Sequence, residues 1–221
     1  MKGISKFISI ALILICGALT IYELWPVAVQ AIGNIAVFKW LGIGIAAYFV
    51  LRIIPGMKKN EDFLRVFAHE LSHTLVGILF LREIKEFNAG EREGQILHAG
   101  RRKFGSLFIS LAPYCFPYVT YLLLLLIIMI KPEFVWVFEM LAGFTWAFHI
   151  MCFIDQTGSY QTDISGQGFF RSYAYIIMAH AFNLSVILLS IQEGIISANV
   201  DLFTAYWHDA CQAFHFLINL F

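Results

Sequence analysis

Apolar residues in this chain are gathered into long runs that short polar segments separate. The runs cover about residues 4–21, 32–54, 104–130, 134–154 and 173–191, and a helical segment of mixed character covers 61–81. Several runs approach or exceed the roughly 20 residues that an α-helix needs to cross a bilayer. The pattern therefore predicts an all-α membrane protein, a polytopic helical bundle of about six transmembrane helices.

Two segments depart from this pattern. Between residues 82 and 103 the apolar runs give way to two short β-like stretches, 84–87 and 95–98, joined through the glycine-containing segment 90–94. A short β-hairpin is therefore expected after the third helix. Residues 201–221 place their polar side chains mostly along one side, which predicts a C-terminal amphipathic helix.

The fourth apolar run contains two prolines, Pro113 and Pro117. Proline lacks a backbone N–H and clashes with the preceding helical turn, so we expect a kink and free backbone carbonyls near residues 112–116. A kink in a membrane span favours a role in packing rather than in chemistry.

The amino-acid composition indicates which surroundings and partners the chain has. Hydrophobic residues make up 60% of the chain and charged residues 14%, against roughly 45–50% and 25% in soluble domains. The net charge is +0 without a block of like charge, so we expect a lipid bilayer and no nucleic acid as partner. We divide the chain into N-terminal transmembrane helices (1–60), a core of the third helix, the hairpin and three further spans (61–192), and the C-terminal amphipathic helix (193–221).

The third helix contains the sequence His69-Glu70-Leu71-Ser72-His73. Two histidines four residues apart on a helix project from one face, so their imidazoles can bind one Zn²⁺ ion. The intervening Glu70 then lies beside the metal and can take a proton from water. A charged residue inside a membrane span costs roughly 2.5–3.5 kcal/mol on insertion scales, so three ionisable residues on one turn indicate a shared function. The motif predicts a zinc hydrolase with Glu70 as the catalytic base.

A third protein ligand is expected from elsewhere in the chain, because catalytic zinc usually has three. Asp155 and Asp163 are candidates in the polar loop after the fifth span. The two closely linked spans before this loop bring the chain back to the membrane face on which the hairpin lies. Glu139, His149 and His180 are the other candidates, within the apolar runs. The residues alone leave this choice open.

These features resemble the site-2 proteases, intramembrane zinc metalloproteases that cut transmembrane substrates, and especially their compact branch without PDZ insertions. The match covers about residues 61–192, with the His-Glu-x-x-His motif in a span, a hairpin after it, two further spans and a late aspartate. The family's second motif is Asn-x-x-Pro-x-x-x-x-Asp-Gly. Segment 155–164 keeps its spacing and its aspartate, with Asp155, Gly158 and Ile164 in place of Asn, Pro and Gly.

The resemblance implies a zinc ion held by His69, His73 and Asp163. It also implies that Glu70 is the base and that Asp155 occupies the position of the family's substrate-positioning asparagine. The implied reaction is hydrolysis of a peptide bond in or near a transmembrane segment of a membrane-protein substrate.

The predicted hairpin has a possible role in that reaction. A helical peptide hides its carbonyls in its own hydrogen bonds, so an unwound substrate segment could add as a strand to the free edge of the hairpin. We therefore expect the segment formed by Ile84, Lys85, Glu86 and Phe87 to bind substrate. A purely structural hairpin is the alternative.

Two other functions are compatible with the motif. The first is a zinc-dependent membrane hydrolase of a lipid or a small amide, because the motif specifies metal and base but no substrate. The second is a non-enzymatic membrane protein, such as a metal transporter or a degenerate scaffold. Retention of Glu70 argues against a scaffold, and the sequence lacks the paired acidic or His-rich sites along several spans that a transporter would need.

Overall fold

The computed structural model describes residues 2–54, 57–89, 94–99, 105–158 and 161–218. Within these ranges the helices are α1 (Lys2–Gly33), α2 (Lys39–Ile53), α3 (Met57–Leu79), α4 (Ser106–Cys115), α5 (Tyr118–Leu126), α6 (Val135–Gln156), α7 (Thr162–Gln167), α8 (Phe169–Glu193) and α9 (Ile195–Ile218). The strands are β1 (Glu83–Ala89) and β2 (Gly94–Ala99). Short 3₁₀ turns cover Ile35–Phe38, Ile127–Met129 and Pro132–Phe134.

Four helical segments in the described residues are long and apolar enough to cross a membrane. They cover residues 6–33, 35–53, 132–156 and 169–193, and α4 with α5 adds a fifth if this bent pair is one span. The chain is thus a largely helical protein with membrane-spanning character, with fewer apolar spans than the six expected. The motif helix α3 is not among them because five charged residues lie between positions 58 and 65, and charge is costly in a bilayer interior.

The first helix is longer than the apolar run predicted. The run ends near residue 21, whereas α1 continues to Gly33 and keeps Pro26 in its interior. Residues 22–33 contain one charged side chain, that of Glu23, so the apolar surroundings favour a backbone that continues to satisfy its own hydrogen bonds. The second span therefore begins beyond Asn34, rather than near residue 32.

The fourth apolar run is broken at residues 116–117, where α4 and α5 meet with a bend of 71°. Pro117 is the N-cap residue of α5, a position whose N–H takes no part in the helical ladder. Pro113, in contrast, lies inside α4. α4 packs against α3, α7 and α8, which places it beside the motif helix.

The most extensive packing between helices is that of α2 against α6 and of α1 against α8. α2 and α6 approach closely at two glycines. A side chain at Gly44 would collide with the backbone of Met140, and one at Gly143 would collide with the backbone of Leu41. Small residues at such crossings let membrane helices pack backbone to backbone.

The two strands pair antiparallel and contact α3. Phe87 is paired with Ile96, and the register shifts between Ile84 and Glu86. The side chains of Ile84, Lys85, Glu86 and Phe87 are outside the described part of the structure, so their expected contacts with substrate stay predictions.

Candidate metal centre

Helix α3 presents the motif residues on one turn. The rings of His69 and His73 lie edge to face with their centroids 4.9 Å apart. Glu70 and His73 are buried, with exposed fractions of 7% and 9%. The Ser72 hydroxyl between them donates to the Ala68 carbonyl at 2.8 Å, so this side chain is held by its own helix. The helical period therefore brings both imidazoles to one side of α3.

Asp163 reaches this site from the short helix α7, which lies within the polar segment after the fifth span. It lies in the first turn of α7. The next residue, Ile164, is fully buried in a cluster that includes Leu111 and Tyr114 of α4, and its carbonyl accepts a hydrogen bond from the Ser172 hydroxyl at 3.1 Å. This anchor on α4 and α8 fixes α7, and with it the carboxylate.

Three ligand atoms from these two helices form a nearly equilateral triangle. The Nε2 atoms of His69 and His73 are 3.2 Å apart. Asp163 Oδ2 lies 3.3 Å from His69 Nε2 and 3.3 Å from His73 Nε2. Within the described residues, this trio is the group of side chains arranged so that it could hold a metal ion.

The dimensions of the triangle fit one tetrahedral ion. Zinc binds histidine nitrogen at about 2.0–2.1 Å and carboxylate oxygen at about 2.0–2.2 Å, so neighbouring ligands of a regular tetrahedron lie roughly 3.3–3.4 Å apart. The separations of 3.2 and 3.3 Å come close to these edges. The three side chains would thus supply three corners and leave the fourth free for water or substrate.

The surroundings of Asp163 keep its carboxyl group ionised. Burial alone would raise the pKa of Asp163, but when His69 and His73 are protonated their hydrogen bonds and charges outweigh burial and hold this pKa well below its usual range. A carboxylate beside two imidazoles is a donor set that suits Zn²⁺.

The two histidines are oriented by different contacts. His73 Nδ1 lies 2.7 Å from the carbonyl oxygen of Ile109 on α4, so Nδ1 carries the proton and donates it. Its Nε2 then directs a lone pair towards the centre of the triangle. His69 packs instead edge to face on the Tyr114 ring, with centroids 5.5 Å apart. The Ile109 carbonyl was not among the expected site groups.

Glu70 lies beside the ligand triangle without belonging to it. Its carboxylate interacts electrostatically with His69, His73 and Asp163, but it contributes no atom to the metal-capable group of the described residues. This placement separates the residue expected to move protons from the residues expected to hold metal.

Asp155 occupies a different environment from Asp163. Its Oδ2 forms ion pairs with Arg52, at 2.6 Å, and with Arg65. Arg65 also pairs with Asp62, while Arg52 lies 3.8 Å from Glu61. These contacts join the C-terminal ends of α2 and α6 to the first half of α3. Asp155 thus links three helices, and a contact with substrate stays a prediction.

The other candidate ligands contribute no atom to the metal-capable group of the described residues. His149 on α6 and His180 on α8 face each other with ring centroids 5.7 Å apart. Glu139 is half-buried on α6 and interacts with Lys39. None of these three alternatives to the aspartates therefore forms a ligand group with His69 and His73 in the described residues.

No protein-family model, curated protein or solved structure matches the chain. Its function is therefore inferred from the geometry of the site and the chemistry of its residues.

Proposed function

We propose that this protein is a zinc-dependent intramembrane endopeptidase of the site-2 protease type, which hydrolyses a peptide bond in or near a transmembrane segment of a membrane-protein substrate. The observation that carries the proposal is the triangle of His69, His73 and Asp163 ligand atoms, 3.2–3.3 Å on each side, with Glu70 next to it. The helical, lipid-facing character of the chain supports a substrate that is itself in the membrane.

The finer membrane topology is part of this proposal. We infer about six spans, with α4 and α5 as one broken span and α3 entering the bilayer with its motif half. The charged residues 58–65 would then lie at the membrane surface, and the buried His73 and Glu70 deeper inside.

The chain's own groups divide the reaction between them. His69, His73 and Asp163 would hold the zinc ion, and the Asp163 carboxylate would compensate part of its charge. When bound, zinc would polarise the scissile carbonyl and lower the pKa of a bound water. Glu70 accepts the proton from the attacking water and later passes it to the nitrogen of the leaving amine.

Burial of the site strengthens this chemistry. Glu70 and His73 are less than a tenth exposed, so few water dipoles screen the base from the ligand groups. A carboxylate in such surroundings is a stronger proton acceptor than one in water.

The decisive experiment compares Glu70→Gln with the native protein. Loss of the base should lower peptide hydrolysis by about 10²–10⁴-fold, while the purified variant keeps its zinc because Glu70 is not a ligand. Single-span membrane proteins should accumulate in cells that carry the variant. Glu139→Gln is the matched control, since it changes a half-buried glutamate of α6 away from the ligand triangle, and it should cleave normally.

Two results would end the protease assignment. Unchanged hydrolysis in Glu70→Gln would remove the base from the mechanism. Zinc that is lost in proportion to activity would make Glu70 a ligand or a structural residue.

The outer edge of β1 is the proposed place for the unwound substrate. The Phe87→Pro variant removes one backbone donor, so cleavage should fall about fivefold, as expected for one hydrogen bond. Phe87→Ala keeps the backbone donor and should cleave more efficiently than Phe87→Pro. Equal losses in the two variants with intact zinc content would refute strand addition.

A hydrolase of a lipid or small amide is the second candidate, favoured by one observation. An apolar cavity of about 740 Å³ lies between α3, α4, α5, α8 and α9, and it is lined by Val76 and Ala112 close to the motif turn. A cavity of this kind suits an acyl chain. Incubation with a membrane lipid extract separates the two candidates, since release of fatty acid or amine that depends on Glu70 would favour the lipid.

A further inference from the structure

The hydrogen-bond ladder of α4 has a gap at the residue that contacts His73. In an α-helix the N–H of each residue donates to the carbonyl four residues earlier. Pro113 lies inside α4 and has no N–H, so the carbonyl left without its helical donor is that of Ile109. The neighbouring bonds are present, with Ile109 N–H donating to Gly105 and Phe116 N–H donating to Ala112, both at 2.9 Å.

The freed carbonyl is the acceptor for the metal-site histidine. Ile109 O lies 2.7 Å from His73 Nδ1, a short distance for such a bond. The surroundings are apolar, because Ile109, Ala112 and Val76 form a buried cluster there. Without this bond both the Nδ1 proton and the carbonyl would be buried without this partner, which is unfavourable.

We propose that Pro113 is a positioning residue of the metal centre, which keeps the Ile109 carbonyl available to orient His73. This inference rests on the proposed role of His73 as a metal ligand. Hydrogen bonds of this kind fix the ring and its tautomer, so that Nε2 keeps its lone pair for the metal. The proline thus acts through a backbone atom of another residue and touches neither metal nor substrate.

The Pro113→Ala variant restores the missing donor. Its new N–H competes with His73 for the Ile109 carbonyl, which weakens the orienting bond. Pro117→Ala is the matched control, since it also removes a proline from the bend, but residue 117 is the N-cap of α5 and has no helical partner in α4. Zinc affinity of the full-length protein in detergent, measured by competition with a chelator, should fall at least about tenfold in Pro113→Ala. It should stay within about twofold in Pro117→Ala, because no ligand contact changes.

A second readout follows the bond itself. In protein labelled with ¹⁵N-histidine, the Nδ1 proton of His73 should be protected from solvent exchange in the native protein and in Pro117→Ala. In Pro113→Ala it should exchange about tenfold faster, which corresponds to the loss of roughly 1.4 kcal/mol of hydrogen bonding. A change in packing alone would not alter this one proton selectively.

The outcomes separate the inference from the proposed function. Equal zinc affinity and equal proton protection in Pro113→Ala and the native protein would overturn the role of Pro113. Absence of zinc binding in the native protein would overturn the metal site, and proton exchange would still decide whether Pro113 orients His73. If Pro113→Ala does not fold, an unprotected His73 Nδ1 proton in the native protein would refute the inference and a protected one would support it.

Discussion

Asp155 and Asp163 come from the same polar segment, yet they meet opposite surroundings. Asp155 ends α6 between the guanidinium groups of Arg52 and Arg65. Asp163 begins α7 between the imidazoles of His69 and His73. One carboxylate is therefore surrounded by permanent cations and the other by groups that have lone pairs to share.

This difference decides what each site can do. A guanidinium group has five donors and no acceptor, so the partners of Asp155 can neutralise it but cannot help it to hold a cation. Neutral imidazoles can bind a metal together with a carboxylate. The same side chain thus serves a structural link in one place and a candidate metal centre in the other, and the neighbouring helices make the choice.

The largest effect is expected from Asp163→Ala. Removal of one of three ligands should weaken zinc binding by more than about 100-fold, since even an outer contact to a ligand costs 10–100-fold, and hydrolysis should be lost with it. Metal content of the purified protein measures this directly. Ser165→Ala changes an exposed hydroxyl on the same short helix and should keep both zinc and activity. A zinc-replete Asp163→Ala would remove this residue from the site.

A smaller and different effect is expected from Asp155→Ala. The variant should keep its zinc, because Asp155 lies outside the metal-capable group. Loss of partly exposed ion pairs should cost about 1 kcal/mol, or roughly 2–4 °C in thermal unfolding for a chain of this size. Loss of zinc without loss of stability would reverse the comparison between the two aspartates.

The smallest effect is expected from Arg52→Lys. Lysine keeps the charge but has a compact ammonium group, so it cannot contact Asp155 and Tyr48 through separate nitrogens as Arg52 does. The melting temperature should fall by less than about 2 °C, since exposed pairs contribute up to about 1 kcal/mol. A drop larger than that of Asp155→Ala would show that Arg52, rather than the aspartate, organises this link.

The local part of the site was predictable from the sequence, because it depends on helical period alone. His69 and His73 must share a face once α3 is a helix. Asp163 is a long-range partner, and the residues themselves left two aspartates in the polar loop. A resemblance selected Asp163, and the structure brings this residue to the two histidines through α7, a helix too short to give a periodic pattern.

The bend in the fourth span shows a different limit. Two prolines predicted a kink with free carbonyls near residues 112–116 and a role in packing. Helical geometry also frees the carbonyl four residues before Pro113, that of Ile109, which lies outside the expected range. Which side chain donates a hydrogen bond to this carbonyl depends on how α3 packs against α4. No pattern within either helix specifies that His73 lies opposite Ile109.

The described residues contain four or five apolar spans, against about six expected, and the helix ends also differ from those predicted. Continuous helix was not expected between residues 22 and 33, where α1 in fact continues. The motif helix was counted as a span, although its first half carries charge. Apolar runs are a poor guide to where helices end in a membrane. The backbone N–H and C=O groups there are paired within helices or with neighbouring segments, and the sequence need not carry capping residues.

The most direct test of the central claim is X-ray absorption at the zinc edge on purified native protein. We predict one zinc ion per chain with a first shell of nitrogen and oxygen at about 2.0–2.2 Å, including two imidazoles. The Asp163→Ala variant, reconstituted with excess zinc, should lose one oxygen from that shell. A protein that binds no stoichiometric zinc, or a shell with sulfur at about 2.3 Å, would contradict the account.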